Sequence, residues 1–176
     1  ETLVGLDYRP ATGQVVAASD ASKLYSLSFD GATATAAPLS TLSEPLSGLS
    51  FGLDFNPVPD RLRIVSDAEQ NLRINVGTGA VTVDGALVPA LQVFGAAYTK
   101  SFNGTTATQL FYLDAGNDSL LTTAAPNEGM LTPVGPLGIA VGTEGDLDIF
   151  GGQDGVVFAA LNPDGTAGSQ LYRVNL

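Results

Sequence analysis

Hydrophobic and polar residues alternate along most of this chain, and Gly, Asp, Asn or Pro break the alternation at short intervals. A period of two interrupted by turn formers is the signature of strands with one buried face. In the first part of the chain it predicts strands over residues 3–8, 14–18, 23–29 and 32–37. The turns between them fall at Pro10-Ala11-Thr12-Gly13, Asp20-Ala21-Ser22 and Asp30-Gly31, all residue types that favour tight reversals. The same order returns over 52–55, 61–66, 71–76 and 80–83, and again over 94–98, 109–114, 119–123 and 130–134. In a fourth set, residues 155–160 echo 14–18, and residues 170–174 echo 23–27. No stretch sustains an apolar period near 3.6 between helix caps, so the reading is all-β.

These sets are copies of one unit. Each opens on a Gly-x-Asp-aromatic start or its remnant: Gly5-Leu6-Asp7-Tyr8, Gly52-Leu53-Asp54-Phe55, Gly95-Ala96-Ala97-Tyr98 and Asp146-Leu147-Asp148-Ile149-Phe150. The offsets, roughly 43 to 50 residues, match one four-stranded propeller blade. The expected architecture is a β-propeller-like single domain, 1–176, of about four units of four antiparallel strands. The units run approximately 1–47, 48–91, 92–140 and 141–176, and the last lacks its outer strand. Its final segment, Gln170, Leu171, Tyr172, Arg173, Val174, Asn175 and Leu176, would then leave backbone N–H and C=O groups unpaired. Three explanations stand side by side: an incomplete copy of a longer protein, pairing with a neighbouring subunit, or a strand wrongly assigned.

Composition narrows the chemistry. The 176 residues carry 7 Lys+Arg against 18 Asp+Glu, a formal charge of -11, with no His, Cys or Trp. A His-based triad, a cysteine nucleophile, a Cys/His zinc site and every disulfide are thereby excluded. The charge repels nucleic acid and anionic membrane, so neither is an expected partner. No run approaches the ~20 apolar residues of a spanning helix, and residue 1 leads directly into a strand-like stretch without a signal peptide.

The run Phe51-Gly52-Leu53-Asp54-Phe55-Asn56-Pro57-Val58-Pro59-Asp60-Arg61-Leu62-Arg63-Ile64-Val65-Ser66-Asp67, with Gln70-Asn71-Leu72-Arg73-Ile74-Asn75, is long and idiosyncratic. Together with Leu3-Val4-Gly5-Leu6-Asp7-Tyr8-Arg9-Pro10-Ala11-Thr12-Gly13 and the closing Leu171-Tyr172-Arg173-Val174-Asn175-Leu176, it resembles the bacterial domain-of-unknown-function family 4394. The resemblance implies secreted or surface-associated propeller-like proteins without an established activity, running longer at both ends. An extracellular or cell-surface location is expected on that basis.

Three carboxylates, Asp7, Asp54 and Asp148, hold equivalent places on innermost strands and converge on one channel mouth in a propeller. As a group they are calcium candidates, or an acid/base pair for glycan hydrolysis; alternatively each accepts hydrogen bonds from a turn or a neighbouring blade. Asp60, Arg61, Arg63, Asp67, Asn71 and Arg73 concentrate basic charge in the second unit. They suit either an anion grip or inter-blade ion pairs with Asp60 and Asp67. Asp114, Asn117 and Asp118 surround Gly116 in a turn and lack the full calcium-loop pattern. Gly151-Gly152 has no following helix or P-loop Lys. No catalytic or cofactor-binding residue is assigned, calcium is the one cofactor left open, and any small-molecule ligand is unknown. The expectation is a non-enzymatic extracellular structural or interaction module, self-associating through the 170–176 edge into an oligomer or filament. The alternative is a calcium- or glycan-binding propeller with weak hydrolase or lyase activity.

Overall fold

The computed structural model of the chain describes residues 1–89, 92–151, 156–164 and 166–176. All regular structure in these residues is β. The first sheet holds β1 (Leu3–Arg9), β2 (Gln14–Ser19), β3 (Lys23–Asp30) and β4 (Thr33–Thr41). The second holds β5 (Phe51–Asn56), β6 (Arg61–Ser66), β7 (Asn71–Asn75) and β8 (Ala80–Val83). The third holds β9 (Val93–Tyr98), β10 (Leu110–Asp114), β11 (Ser119–Thr123) and β12 (Thr132–Pro136). The fourth has three strands: β13 (Val141–Ile149), β14 (Val157–Pro163) and β15 (Gln170–Val174). Each sheet is an antiparallel meander in sequence order, as short turns between successive strands require. Four such sheets of four, four, four and three strands make a four-bladed β-propeller.

The turns work by local chemistry. Between β1 and β2, Arg9 C=O accepts the N–H groups of Thr12 (3.2 Å) and Gly13 (2.9 Å). Gly13 takes φ 76°, a conformation that costs an L side chain energy. Between β7 and β8, the Asn75 side chain accepts Gly77 N–H at 3.1 Å while its C=O accepts Gly79 N–H at 2.8 Å.

Packing follows from alternation, because successive residues of a strand face opposite neighbours. One face of blade 1 (Val16, Ala18, Leu24) meets Leu53, Phe55, Leu62, Ile64, Leu72 and Ile74 of blade 2. Behind that layer, Val65 joins Ala96, Tyr98, Leu110, Tyr112 and Leu121 of blade 3. The far face of blade 3 (Phe94, Phe111, Leu113, Leu120) meets Leu147, Ile149, Val157, Ala159 and Leu161 of blade 4. Three inter-blade cores therefore join four blades. Blades 1 and 4 face one another across a cavity of about 400 Å³, and Leu6, Tyr8, Phe158 and Leu171 on its walls are exposed.

The predicted strands are found, with shifted limits in several: β4 runs on to Thr41 and β14 to Pro163. The outer strand of the third blade lies two residues later than residues 130–134, because Pro133 and Pro136 are tolerated where an outer strand needs no ladder donor. The innermost strand of the fourth begins at Val141, with an irregularity between Val141 and Gly145. Gly152, and Gly155 at the start of the echo predicted over 155–160, lie outside the described residues.

Candidate functional site

The innermost strands β1, β5, β9 and β13 line the centre, and their Gly-x-Asp starts have a specific job. Gly52 lies so close to β9 that an added Cβ would sit 2.5 Å from both Ala96 N and the Gly95 carbonyl carbon. That approach lets the carboxylate two residues on, on the same face, reach the next blade. Asp54 Oδ2 accepts Tyr98 N–H at 2.6 Å. Asp7 Oδ2 accepts Phe55 N–H at 2.7 Å, and its Oδ1 accepts Tyr8 N–H at 2.6 Å. Asp7 and Asp54 thus each fasten their blade to the residue that follows the Asp position in the next one.

The third blade has Ala97 at this position, and the fourth supplies a substitute. Asp146 stands where the other units have Gly, accepts Leu147 N–H at 2.9 Å, and brings Oδ1 to 3.1 Å from a Cβ built on Gly95. Asp148, the true equivalent of Asp7 and Asp54, is exposed and has no hydrogen-bond partner among the described residues.

Four carboxylates consequently share the channel: the predicted Asp7, Asp54 and Asp148, and Asp146. Burial raises the Asp7 carboxyl to about 6, the Asp148 charge adds to the rise, and hydrogen bonds from Asp54, Phe55 and Tyr8 oppose it. Asp54 is raised well above the carboxylate range, first by burial and then by the Asp7 charge. Burial and the Asp7 charge therefore favour the protonated form of Asp54, which faces Asp7. Asp146 is also raised, by desolvation in the channel wall, against the backbone N–H groups of Leu147 and Ala96. Among the described residues, no group of three His, Cys, Asp or Glu side chains is spaced to hold a metal ion. The inward lone pairs of Asp7 and Asp54 are occupied by backbone donors, which accounts for these two residues without a ligand.

The basic cluster of the second blade is structural, and its partners differ from those expected. Arg63 is buried between blades 2 and 3. It donates to Tyr98 Oη (2.7 Å), Asp84 (3.2 Å), Asn127 Oδ1 (2.8 Å) and the Asn71 side chain. Arg73 grips both oxygens of the same Asp84 at 2.6 and 2.8 Å. Asp60 pairs with Arg9 of blade 1, so the predicted inter-blade ion pair exists with a different cation. Asp67 accepts Leu49 and Ser50 N–H groups in a turn and meets no arginine. Asp84, just past β8, and Asn127, in the turn between β11 and β12, carried no sequence signal beyond polarity. Nearby, the buried Tyr112 hydroxyl lacks a partner among the described residues. Asp114 closes its own turn by accepting Gly116 and Asn117 N–H groups, and Asp118 accepts Val141 N–H at 2.8 Å to join blades 3 and 4.

Gln170, Leu171, Tyr172, Arg173 and Val174 form β15, which pairs on one side with β14; among the described residues no strand pairs with its other side. Asn175 and Leu176 lie past the strand, where Leu176 packs against the blade 3–blade 4 core.

Repeated antiparallel meanders, joined at the centre by Asp7 between blades 1 and 2 and by Asp54 between blades 2 and 3, define a β-propeller held together by inter-blade hydrogen bonds. The family model of the domain of unknown function DUF4394 matches residues 1–176, the whole chain, and the protein belongs to that family. No curated protein matches it.

Proposed function

We propose that this protein is a non-enzymatic, extracellular structural or interaction module that self-associates by pairing the free edge of β15 with a strand of another copy. The observation that carries this reading is a contrast between outer strands. In the first blade the outer strand β4 contains Pro38, in the third β12 contains Pro133 and Pro136, and in the second β8 has only 4 residues. Prolines and short length are the usual protections against edge-to-edge pairing. β15 has 5 residues and no proline, and Leu171 is 73% exposed. A strand docking there would gain main-chain hydrogen bonds, with Leu171 and Arg173 setting register.

The extracellular part of the reading is supported by the family resemblance alone. Cell fractionation tests it.

Light scattering coupled to size exclusion tests the assembly. The expected result is a set of species heavier than 17.9 kDa whose share grows with concentration. Leu171→Pro, which removes an edge donor, should return the protein to monomer while the melting temperature stays within a few degrees. A monodisperse monomer at millimolar concentration rejects the reading.

A further inference from the structure

Five aromatic side chains of the described residues are exposed: Tyr8, Phe29, Phe102, Phe150 and Phe158. Four of them, all but Phe29, line the two adjoining cavities between blade 1 and blade 4. The larger cavity, about 500 Å³, is walled by Tyr8, Phe102 and Phe150, with Asp7 and Asp148 among its lining residues. Its three aromatic side chains come from three separate segments: β1, the connection between β9 and β10, and the end of β13. They are 54%, 43% and 59% exposed, so burial within the fold does not account for their gathering.

Charge specifies what such a cavity accepts. No Lys or Arg lines either cavity. The nearest guanidinium in sequence, Arg9, is held by Asp60, Arg63 and Arg73 of the second blade are committed to Asp84, and Arg61 donates to the Pro59 and Asp60 carbonyls. Asp148 has no internal partner among the described residues. Carboxylates without a counter-charge beside open aromatic faces attract a cation that carries its own apolar surface, because ring faces are negative and hydrocarbon groups lose water favourably against them. A hard metal ion is less well served, since it needs six to eight oxygen ligands and rings offer none. The volume falls within the ~300–1,000 Å³ range of small-molecule sites.

We propose that the blade 1–blade 4 cleft is a binding site for an organic cation, a protonated or quaternary amine on a small apolar body. Tyr8, Phe102 and Phe150 enclose the cationic head and Asp148 supplies the opposing charge. The aromatic and acidic residues of this site lie outside β15, although Leu171 borders the smaller cavity, and binding does not depend on assembly at that edge.

Choline is the probe, and 3,3-dimethyl-1-butanol is its neutral isostere of the same shape. Ligand-observed NMR at fixed ionic strength should show saturable choline binding, with the isostere bound about tenfold more weakly or less. Asp148→Asn and Phe150→Ala each change an exposed side chain, so both variants should melt near the parent temperature while weakening choline binding about five- to tenfold. Three results would overturn the proposal: no saturable choline binding, equal binding of the isostere, or choline binding unchanged in both variants. Displacement of choline by millimolar calcium or glucose with loss of response in Asp148→Asn would also overturn it, reassigning the cleft to a metal or a neutral sugar.

Discussion

Asp54 Oδ2 accepts the backbone N–H of Tyr98 at 2.6 Å, and this bond between β5 and β9 is the clearest statement of how the propeller is assembled. The corresponding bond from Asp7 to Phe55 joins blades 1 and 2 at 2.7 Å. A side chain from one blade satisfies the main chain of the next, so the repeat encodes the contact between units as well as the unit.

Removing that acceptor should be costly in one substitution and harmless in another. Asp54→Ala leaves Tyr98 N–H buried and unpaired, a loss of about 1–3 kcal/mol. Asp54→Asn keeps a carbonyl for Tyr98 and offers an amide hydrogen to Asp7, reproducing the protonated state that burial already favours. Urea denaturation at pH 8 should find Asp54→Ala destabilised and Asp54→Asn as stable as the parent or more so. Equal losses in both variants would show that the carboxyl is needed ionised.

The stability of the protein should fall as pH rises from about 4 through about 6. Asp7 is raised from 3.8 to about 6 in the fold, so the native state holds more protons than the unfolded chain across that window. Its contribution is fully present below the unfolded value and is lost as pH climbs through the folded one. Asp54 and Asp146, also raised by burial, act in the same direction. Below about 4 the trend turns, because Asp60 is held down by Arg9 and loses its pairing when protonated. Thermal melts between pH 4.5 and 7.5 read this directly, and a melting temperature that climbs over that interval contradicts it.

Two glycines at equivalent positions should respond differently to alanine. At Gly52 the new Cβ meets the backbone of Gly95 and Ala96, which cannot move without shifting β9. Gly52→Ala should cost about 1–3 kcal/mol through overpacking. At Gly5 the Cβ meets Leu53 Cδ1, the end of a side chain that can rotate away, so the loss should be smaller. Denaturant midpoints of the two variants give the comparison; equal shifts would mean that blade 1 is as tightly seated on its neighbour as blade 2 is.

Between blades 2 and 3, charge and an idle hydroxyl make opposite forecasts. Arg63→Met strips Asn71, Asn127 and Tyr98 of their donor and leaves Asp84 with Arg73 alone, a loss of about 3–5 kcal/mol. Tyr112→Phe removes a buried hydroxyl that has no partner among the described residues, so stability should stay level or rise. A large loss in Tyr112→Phe would reveal an ordered water bridging that hydroxyl to the Arg63 network.

Most of the fold was legible because it is local. Alternation and turn residues place β6, β8, β11 and β15 at their observed limits, since hairpin pairing links neighbours in sequence and each strand declares its own buried face. The spacing of Asp7, Asp54 and Asp148 likewise foretold that three carboxylates would meet. What each of them does was open, because a carboxylate that bonds to the next blade and one that faces an empty cleft occupy the same place in the repeat. Only the assembled blades separate Asp54, buried against Tyr98, from Asp148, exposed and without a partner among the described residues.

The chain by itself determined the strands, their order within each blade, and the absence of His and Cys chemistry. The tertiary structure decided that Arg63 turns to Asp84 rather than Asp67, that Asp146 is buried against the backbone of Leu147 and Ala96, and that four aromatic side chains gather along the cavities beside blades 1 and 4. The physical reason is range. Strand pairing depends on residues a few positions apart, whereas ion pairs, perturbed carboxyls and cavities depend on which faces the packed blades bring together.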